Sequence, residues 1–266
     1  MATITSDFFT LNKDSLKNYP DAINQIYRGN IDGICIKNVF SKEDMLKVKH
    51  NLENKKDYLK DYTYTQGYGK FIGAILQANT DDKTAYFKDA AALRVRLKNI
   101  FEHRDYETTI QAVFSQISGG REVQAAQESS NKVYSPAITR YTSPSQGGIK
   151  VHKGNEFIDH PAFDGLKQVA KVRNSLSYFI VVDKPEDGGE LVLYDGLPDK
   201  LTVPKQDLDL DNCQKRSFQP DAGDMTIFHG ATIWHAISDV KGKKNRISIG
   251  GFVGLSADER KVVYWS

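Results

Sequence analysis

The stretch "KVHKGNEF", residues 150–157, sets His152 in a run that reads as a strand and follows it, two positions on, with Gly154. Strand side chains two positions apart share a face, so a carboxylate at 154 would complete a metal site begun by His152. Glycine sends no side chain there. Working outward, "PAITRYTS", "GIKVHKG", "SLSYFIVV", "GELVLYD", "DMTIFHG", "TIWHAI" and "RISIGGFVG" are all strand-length runs divided by Gly, Pro and Asp. Many short antiparallel strands at this spacing predict a sandwich or jelly roll from about residue 122 onward. "HPAFDGLKQVAKVRN" interrupts them as a helical insertion.

Upstream the texture is helical. "DSLKNYPDAINQIYRG", "DKTAYFKDAAALRVRLKNIFEH" and "YETTIQAVFSQIS" carry apolar residues at helical spacing, and "SKEDMLKVKHNLENKK" opens with Ser41 as N-cap and Asp44 three residues on. "DGICIKNVF" alternates like a strand, and "YTYTQGYGKFIGA" reads as an ordered loop. The expected organisation is a single α+β domain over residues 1–266, mainly β at its core: a mainly helical flank, 1–121, and a jelly-roll core, 122–266.

Composition narrows the function classes. Thirty-six Lys and Arg against 34 Asp and Glu leave a formal charge of +2 without a long basic run, so no nucleic-acid polymer is expected as partner. Cys35 and Cys213 are the only cysteines, which argues against a disulfide framework or a cysteine-based metal cluster. No run has the length of a signal-peptide core or a bilayer span. A soluble, cytoplasmic protein is the expectation, with oligomeric state left open.

Of six histidines, His50 and His103 lie in charged helical contexts, and His160 precedes Pro161 where a cap or loop role suffices. His152, His229 and His235 fall on β segments. His152 and His235 are more than eighty residues apart, yet two strands of a small barrel can bring such a pair to one metal, as in the two-histidine, one-carboxylate sites of non-heme iron oxygenases. Packed core imidazoles are the plainer alternative, and His229 competes for the second position. Arg246 opens "RISIGGF" eleven residues after His235. It can grip a carboxylate at the inner end of a barrel, with Ser248 adding a hydroxyl from the same face. A surface salt bridge is the alternative for that arginine.

Together, "RYTSPSQGGIKVHKG", "PEDGGELVLYD" and "FQPDAGDMTIFHGATIWHAISDVKGKKNRISIGGF" resemble, in order and spacing, the iron(II)- and 2-oxoglutarate-dependent oxygenases of the prolyl-hydroxylase branch. The resemblance is closer to the standalone iron halogenases of the welwitindolinone and ambiguine alkaloid type, and runs from near residue 19 to Ser266. It implies a double-stranded β-helix, a cupin-like jelly roll, with flanking N-terminal helices. It implies that His152 and His235 ligate iron, and that Arg246 with Ser248 holds the distal carboxylate of 2-oxoglutarate. It further implies that Gly154 marks the vacancy taken by chloride or bromide. The reaction so implied is chlorination of an unactivated aliphatic carbon of a freestanding small natural-product-like molecule. It would run by a chloro-ferryl radical mechanism, consuming O2 and releasing succinate and CO2.

The same resemblance assigns further roles. Ser177 matches a serine near the iron in the alkaloid halogenases, although a neutral strand serine is equally consistent with its context. Tyr141 would reach 2-oxoglutarate as its counterpart does in prolyl hydroxylases, a tyrosine the halogenases do not share, so core packing stands beside that reading. Tyr68, Gly69, Phe71 and Phe157 would line the substrate pocket. Three rival functions stay open at this level: a hydroxylase whose third ligand is Glu156 or another residue, a non-catalytic scaffold or binding protein, and a halogenase-like site that hydroxylates or desaturates because its substrate is held away from chloride. If residues 152–156 stay extended, Glu156 lies about 13 Å from His152, beyond a shared metal, at roughly 3.3 Å per residue. A turn at Gly154-Asn155 would shorten that path.

Overall fold

In the computed structural model, residues 7–55, 58–64, 67–78, 82–198 and 208–266 are described; within these, the side chains of 62–64, 67, 68, 78 and 145 are not. The first third alternates strands and helices: β1 (Phe8–Asn12), α1 (Ala22–Tyr27), β2 (Gly33–Lys37), α2 (Lys42–Glu53), β3 (Lys60–Tyr64), β4 (Gly67–Ile72), α3 (Thr84–Phe101) and α4 (Tyr106–Gln116). The α2 start is set by a reciprocal capping box: the Asp44 amide donates to Ser41 Oγ and the Ser41 amide to the Asp44 carboxylate, each at 3.0 Å.

Beyond residue 122 most of the regular elements are strands. They are β5 (Val123–Ala125), β6 (Gln127–Ser129), β7 (Lys132–Val133), β8 (Ile138–Thr142), β9 (Ile149–His152), β10 (Leu176–Asp183), β11 (Asp187–Gly188) and β12 (Leu191–Asp195). After these come β13 (Gln214–Phe218), β14 (Met225–Phe228), β15 (Trp234–Ile237), β16 (Val240–Lys241), β17 (Arg246–Leu255) and β18 (Val262–Trp265). The expected insertion forms the short helix α5 (Asp164–Val169) between β9 and β10.

The strands form two main sheets. The larger runs β1-β2-β14-β10-β17-β8-β4-β3, with β18 added beside β17 and β5 beside β18; the smaller runs β13-β12-β15-β9. Their inner faces meet in one apolar cluster, where Phe228 of the larger sheet packs with Leu191, Leu193 and Ile237 of the smaller. This is the jelly-roll arrangement of two facing, mainly antiparallel sheets, with parallel pairs only at β1–β2 and β5–β18 among the described strands. The period of two along β10 divides its sides: Leu176, Tyr178, Ile180 and Val182 join the main core with α3 and α4 residues such as Leu93, Leu97 and Phe114. The intervening Ser177 and Phe179 face the opposite sheet and line the space between them.

The flank is more than a helical cover. Its strands β1 and β2 extend one edge of the larger sheet and β3 and β4 the other. The loop expected at "YTYTQGYGKFIGA" is instead the β3–β4 hairpin, with Thr63 opposite Tyr68 and Tyr64 opposite Gly67. Its Tyr and Thr content has high strand propensity, and pairing of β4 with β8 gives it a sheet to join. Among the described residues, no helix is long and apolar enough to cross a membrane.

Candidate active site

Strand pairing between β9 and β15 sets His152 directly opposite His235. The two rings lie with centroids 4.2 Å apart at 51°. Each ring is oriented by its own backbone: His152 Nδ1 lies 2.8 Å from the Lys150 carbonyl and His235 Nδ1 lies 2.9 Å from that of Ile233. A carbonyl accepts only, so both Nδ1 atoms carry the proton and both Nε2 atoms present a lone pair, the tautomer of a metal-ligating imidazole. His235 is 6 % exposed; burial, and after it the neighbouring His152, hold its pKa well below the ordinary histidine value. A facing pair of imidazoles, with His235 held toward its neutral form, therefore stands at one end of the cavity between the sheets.

Gly154 lies just beyond β9, in a turn that begins there, and its amide donates to the Gly230 carbonyl at 2.7 Å. A Cβ at this position would stand 3.3 Å from Gly230 O, 3.3 Å from Phe252 Cε1 and 3.4 Å from Ser177 Oγ, closer than most ordinary contacts. The turn that would bring Glu156 toward the histidines does form, but its carboxylate accepts the Lys153 amide at 3.0 Å. Among the described residues no three His, Cys, Asp or Glu side chains gather into a metal-holding group. The short turn thus uses the Glu156 carboxylate to close itself, while its charge still acts on His235.

Arg246 and Ser248, two positions apart on β17, share the inner face. Arg246 is 4 % exposed, donates from Nε to the Gly189 carbonyl at 2.9 Å and from Nη1 to Ser248 Oγ at 2.8 Å, and lies over the Phe179 ring at 5.1 Å. Burial, and then the charge of Arg140, bring its pKa down to about 10, so it stays a cation at neutral pH. Among the described residues it has no carboxylate at ion-pair distance. A buried guanidinium without a counter-charge is costly to fold and suits an anionic ligand.

Tyr141 does not join this group. On β8 the inward positions are Ile138 and Arg140, and Tyr141 points the other way into the main core, its hydroxyl buried without a hydrogen-bond partner. The cofactor-binding expectation for Tyr141 is thus corrected by strand parity, and Arg140, opposite Ser248 across the ladder, is the cavity-facing member of the Arg-Tyr pair. Sequence reasoning quoted that pair and chose the wrong half. The alternation of "ITRYT" held the signal, since Arg140 is in phase with Ile138.

The cavity encloses about 270 Å³. Ser177 and Phe157 line it together with Gly154, the two histidines, Arg246 and Ser248. Phe71 instead packs behind the wall, in a small cluster with the cavity-lining Ile75 and Ile138, and Gly69 is buried in β4 opposite Tyr62, so these two substrate-contact expectations are corrected to a supporting layer. Tyr68 takes its place in the β4 backbone; its side chain lies outside the described residues. His229 is directed elsewhere, bonded through Nδ1 to Thr232 and edge-on to Tyr27. His160 caps its own turn by accepting the Ala162 amide. Sequence reading missed Gln77, Phe163 and Trp265, which reach the cavity from three separate segments.

Residues 5–266 match the family described as the carrier-protein-independent halogenase WelO5. No curated protein matches the sequence at a significant level. Among solved structures, the chain is similar to the non-heme alpha-ketoglutarate-dependent epimerase SnoN from nogalamycin biosynthesis. That likeness has a TM-score of 0.55 and 11 % identity, over 91 % of this chain and 85 % of that one. It is similar also to an N-substituted L-amino acid dioxygenase from Burkholderia ambifaria AMMD, with a TM-score of 0.56 and 13 % identity over 91 % and 90 % of the two chains. At such identities these likenesses speak for the fold, and they agree with the two facing sheets described above.

Proposed function

We infer the chemistry from one premise: the chain belongs to the carrier-protein-independent halogenase family. It is a non-heme enzyme that uses iron(II), 2-oxoglutarate, O2 and chloride, or bromide in its place, to halogenate an unactivated aliphatic carbon of a freestanding small molecule. The residues present suit this set. His152 and His235 would hold iron through the Nε2 atoms that their Nδ1 hydrogen bonds leave as acceptors. Gly154 offers no third protein ligand, which leaves that position for the halide. Arg246, braced by Ser248 and Gly189 O, would take the distal carboxylate of 2-oxoglutarate.

When bound, iron and 2-oxoglutarate supply with O2 the oxidising power for hydrogen removal and halogen transfer, the cosubstrate leaving as succinate and CO2. The chain itself does three things. The backbone carbonyls of Lys150 and Ile233 fix the ring planes of the two histidines, so that no reorientation is needed when metal enters. The buried Arg246 cation aligns a dicarboxylate along the cavity, and the low exposure around it strengthens that pairing. The apolar wall formed by Phe157, Phe163, Phe252 and Ile75 excludes water and sets which carbon of the substrate approaches.

The observation that carries this reading is the pairing of two inward histidines of ligand tautomer with a third position that is glycine. The test is an anaerobic titration. Protein loaded with iron(II) and 2-oxoglutarate should show a metal-to-ligand absorption band that shifts as chloride is added; a band indifferent to chloride at every concentration contradicts the assignment.

A further inference from the structure

The halide position has a wall that neither the family match nor the ligand assignment explains. Ser177 Oγ stands between two glycines, Gly154 and Gly230. A Cβ at Gly154 would come within 3.4 Å of that oxygen, whereas a Cβ at Gly230 would overlap it and stand 2.8 Å from Ser177 Cβ. Neither glycine has the left-handed backbone that would itself demand glycine. Space, and not conformation, keeps position 230 without a side chain.

Neither side of this contact can retreat. The Gly230 carbonyl accepts the Gly154 amide at 2.7 Å, and the next residue, Ala231, donates its amide to Ser175 O at 3.3 Å. Ser177 is held in the middle of the larger sheet, paired with Phe228 on one side and Phe252 on the other. A methyl group at 230 would overlap Ser177 Oγ and also press on Ser177 Cβ and Phe228 Cε2, so turning the hydroxyl relieves only part of the clash. The rest falls on the backbone contacts that seat Gly154 against Gly230, and Ser177 Oγ already stands 3.4 Å from a Cβ placed at 154, so both adjustments disturb the space beside Gly154.

We propose that Gly230 is a positioning residue: by giving the Ser177 hydroxyl its place, it keeps the space beside Gly154 open for the halide. The proposal rests on the halogenase reading above and deepens it, since it adds a third small residue, distant in sequence, to the two positions already assigned to that site. Gly230 acts on the halide only through Ser177 and through the carbonyl that anchors Gly154.

The test compares Gly230→Ala, Ser177→Gly and the double variant with the native chain, each as anaerobic protein loaded with iron(II) and 2-oxoglutarate and titrated with sodium chloride. Overpacking at 230 is expected to weaken chloride binding by about tenfold or more. Adding Ser177→Gly should return it to within about threefold of Ser177→Gly alone, because the overlapping atoms are gone. Thermal unfolding of the metal-free proteins should follow the same order, lower for Gly230→Ala and recovered in the double variant. If Gly230→Ala does not fold, the double variant still decides: it should fold and bind chloride as Ser177→Gly does. Chloride affinity unchanged by Gly230→Ala overturns the proposal, as does a loss, or a folding failure, that Ser177→Gly leaves unrelieved. A native chain without any chloride response sinks the halogenase reading and this proposal with it, whereas a native response that fails to depend on residue 230 sinks the proposal alone.

Discussion

At the scale of single residues, the proposed chemistry turns on Gly154. Introducing Gly154→Asp restores a carboxylate in reach of iron, at the cost of pressing Cβ against Gly230 O, Phe252 and Ser177, all at 3.3 to 3.4 Å. The expected outcome is a protein that still binds iron and consumes 2-oxoglutarate but no longer responds to chloride, with hydroxylated in place of chlorinated product by mass spectrometry. Glu156→Ala should leave iron affinity intact, since that carboxylate closes a turn. Arg246→Ala removes charge-assisted hydrogen bonds of about 1.5–3 kcal/mol, so 2-oxoglutarate affinity should fall roughly 10- to 100-fold in the same spectroscopic titration. Tyr141→Phe is the contrasting case. Its hydroxyl is buried without a partner, so the variant should bind 2-oxoglutarate normally and melt higher, by about 1 kcal/mol of stability.

Elements explain which of these residues were legible in the sequence. The shared face of Arg246 and Ser248 on β17 followed from alternation, whereas the choice of His235 on β15 rested on the family resemblance, because β15 is buried on both sides and its pairing with β9 carries a register shift between His235 and Ile237. His229 and His235 show the limit of counting. They are an even number of positions apart, which on one continuous strand would give them a common face, but β14 ends at Phe228 and a turn intervenes before β15. Inside that turn the amides of Thr232 and Ile233 both donate to the His229 carbonyl, and the phase is lost. The β3–β4 hairpin escaped for a related reason: Gly67, Gly69 and Gly73, following a Tyr- and Thr-rich run, look like loop punctuation until β8 offers an edge to pair with. Where a local rule does set an element boundary it can be tested locally. Ser41→Ala should remove the α2 capping box and cost about 1 kcal/mol in unfolding free energy without altering iron binding.

For the whole molecule, the fold class was legible because short-range patterns carry it, and the convergence of His152, His235 and Arg246 on one cavity was expected from the family resemblance, whereas the cavity wall was not legible. Gln77, Phe163 and Trp265 meet there from a segment after β4, a turn before α5 and the last strand, and no feature of their local sequence distinguishes them from core residues. Charge behaves likewise: a formal balance of +2 over the chain gives no hint that Arg140 and Arg246 converge on one cavity. Burial of a neutral imidazole away from the metal position has a global consequence. The pKa of His229 is lowered by burial, so the unfolded chain binds a proton more readily than the folded one below the ordinary value of 6.5. Stability of the metal-free protein is thus expected to be full above pH 6.5 and to decline as pH falls through that value, with His229→Gln removing part of the decline in thermal unfolding scans and the likewise buried His235 still contributing in the same direction.

The central claim, that Gly154 leaves a position on iron for a halide, is tested most directly by a crystal structure of the anaerobic protein with iron(II), 2-oxoglutarate and bromide, using anomalous scattering at the bromine edge. We expect an anomalous peak bonded to an iron held by His152 and His235, on the side of Gly154. Iron bound by the two histidines with Glu156 or another protein carboxylate as its third ligand, and no bromine signal beside it, would contradict the account.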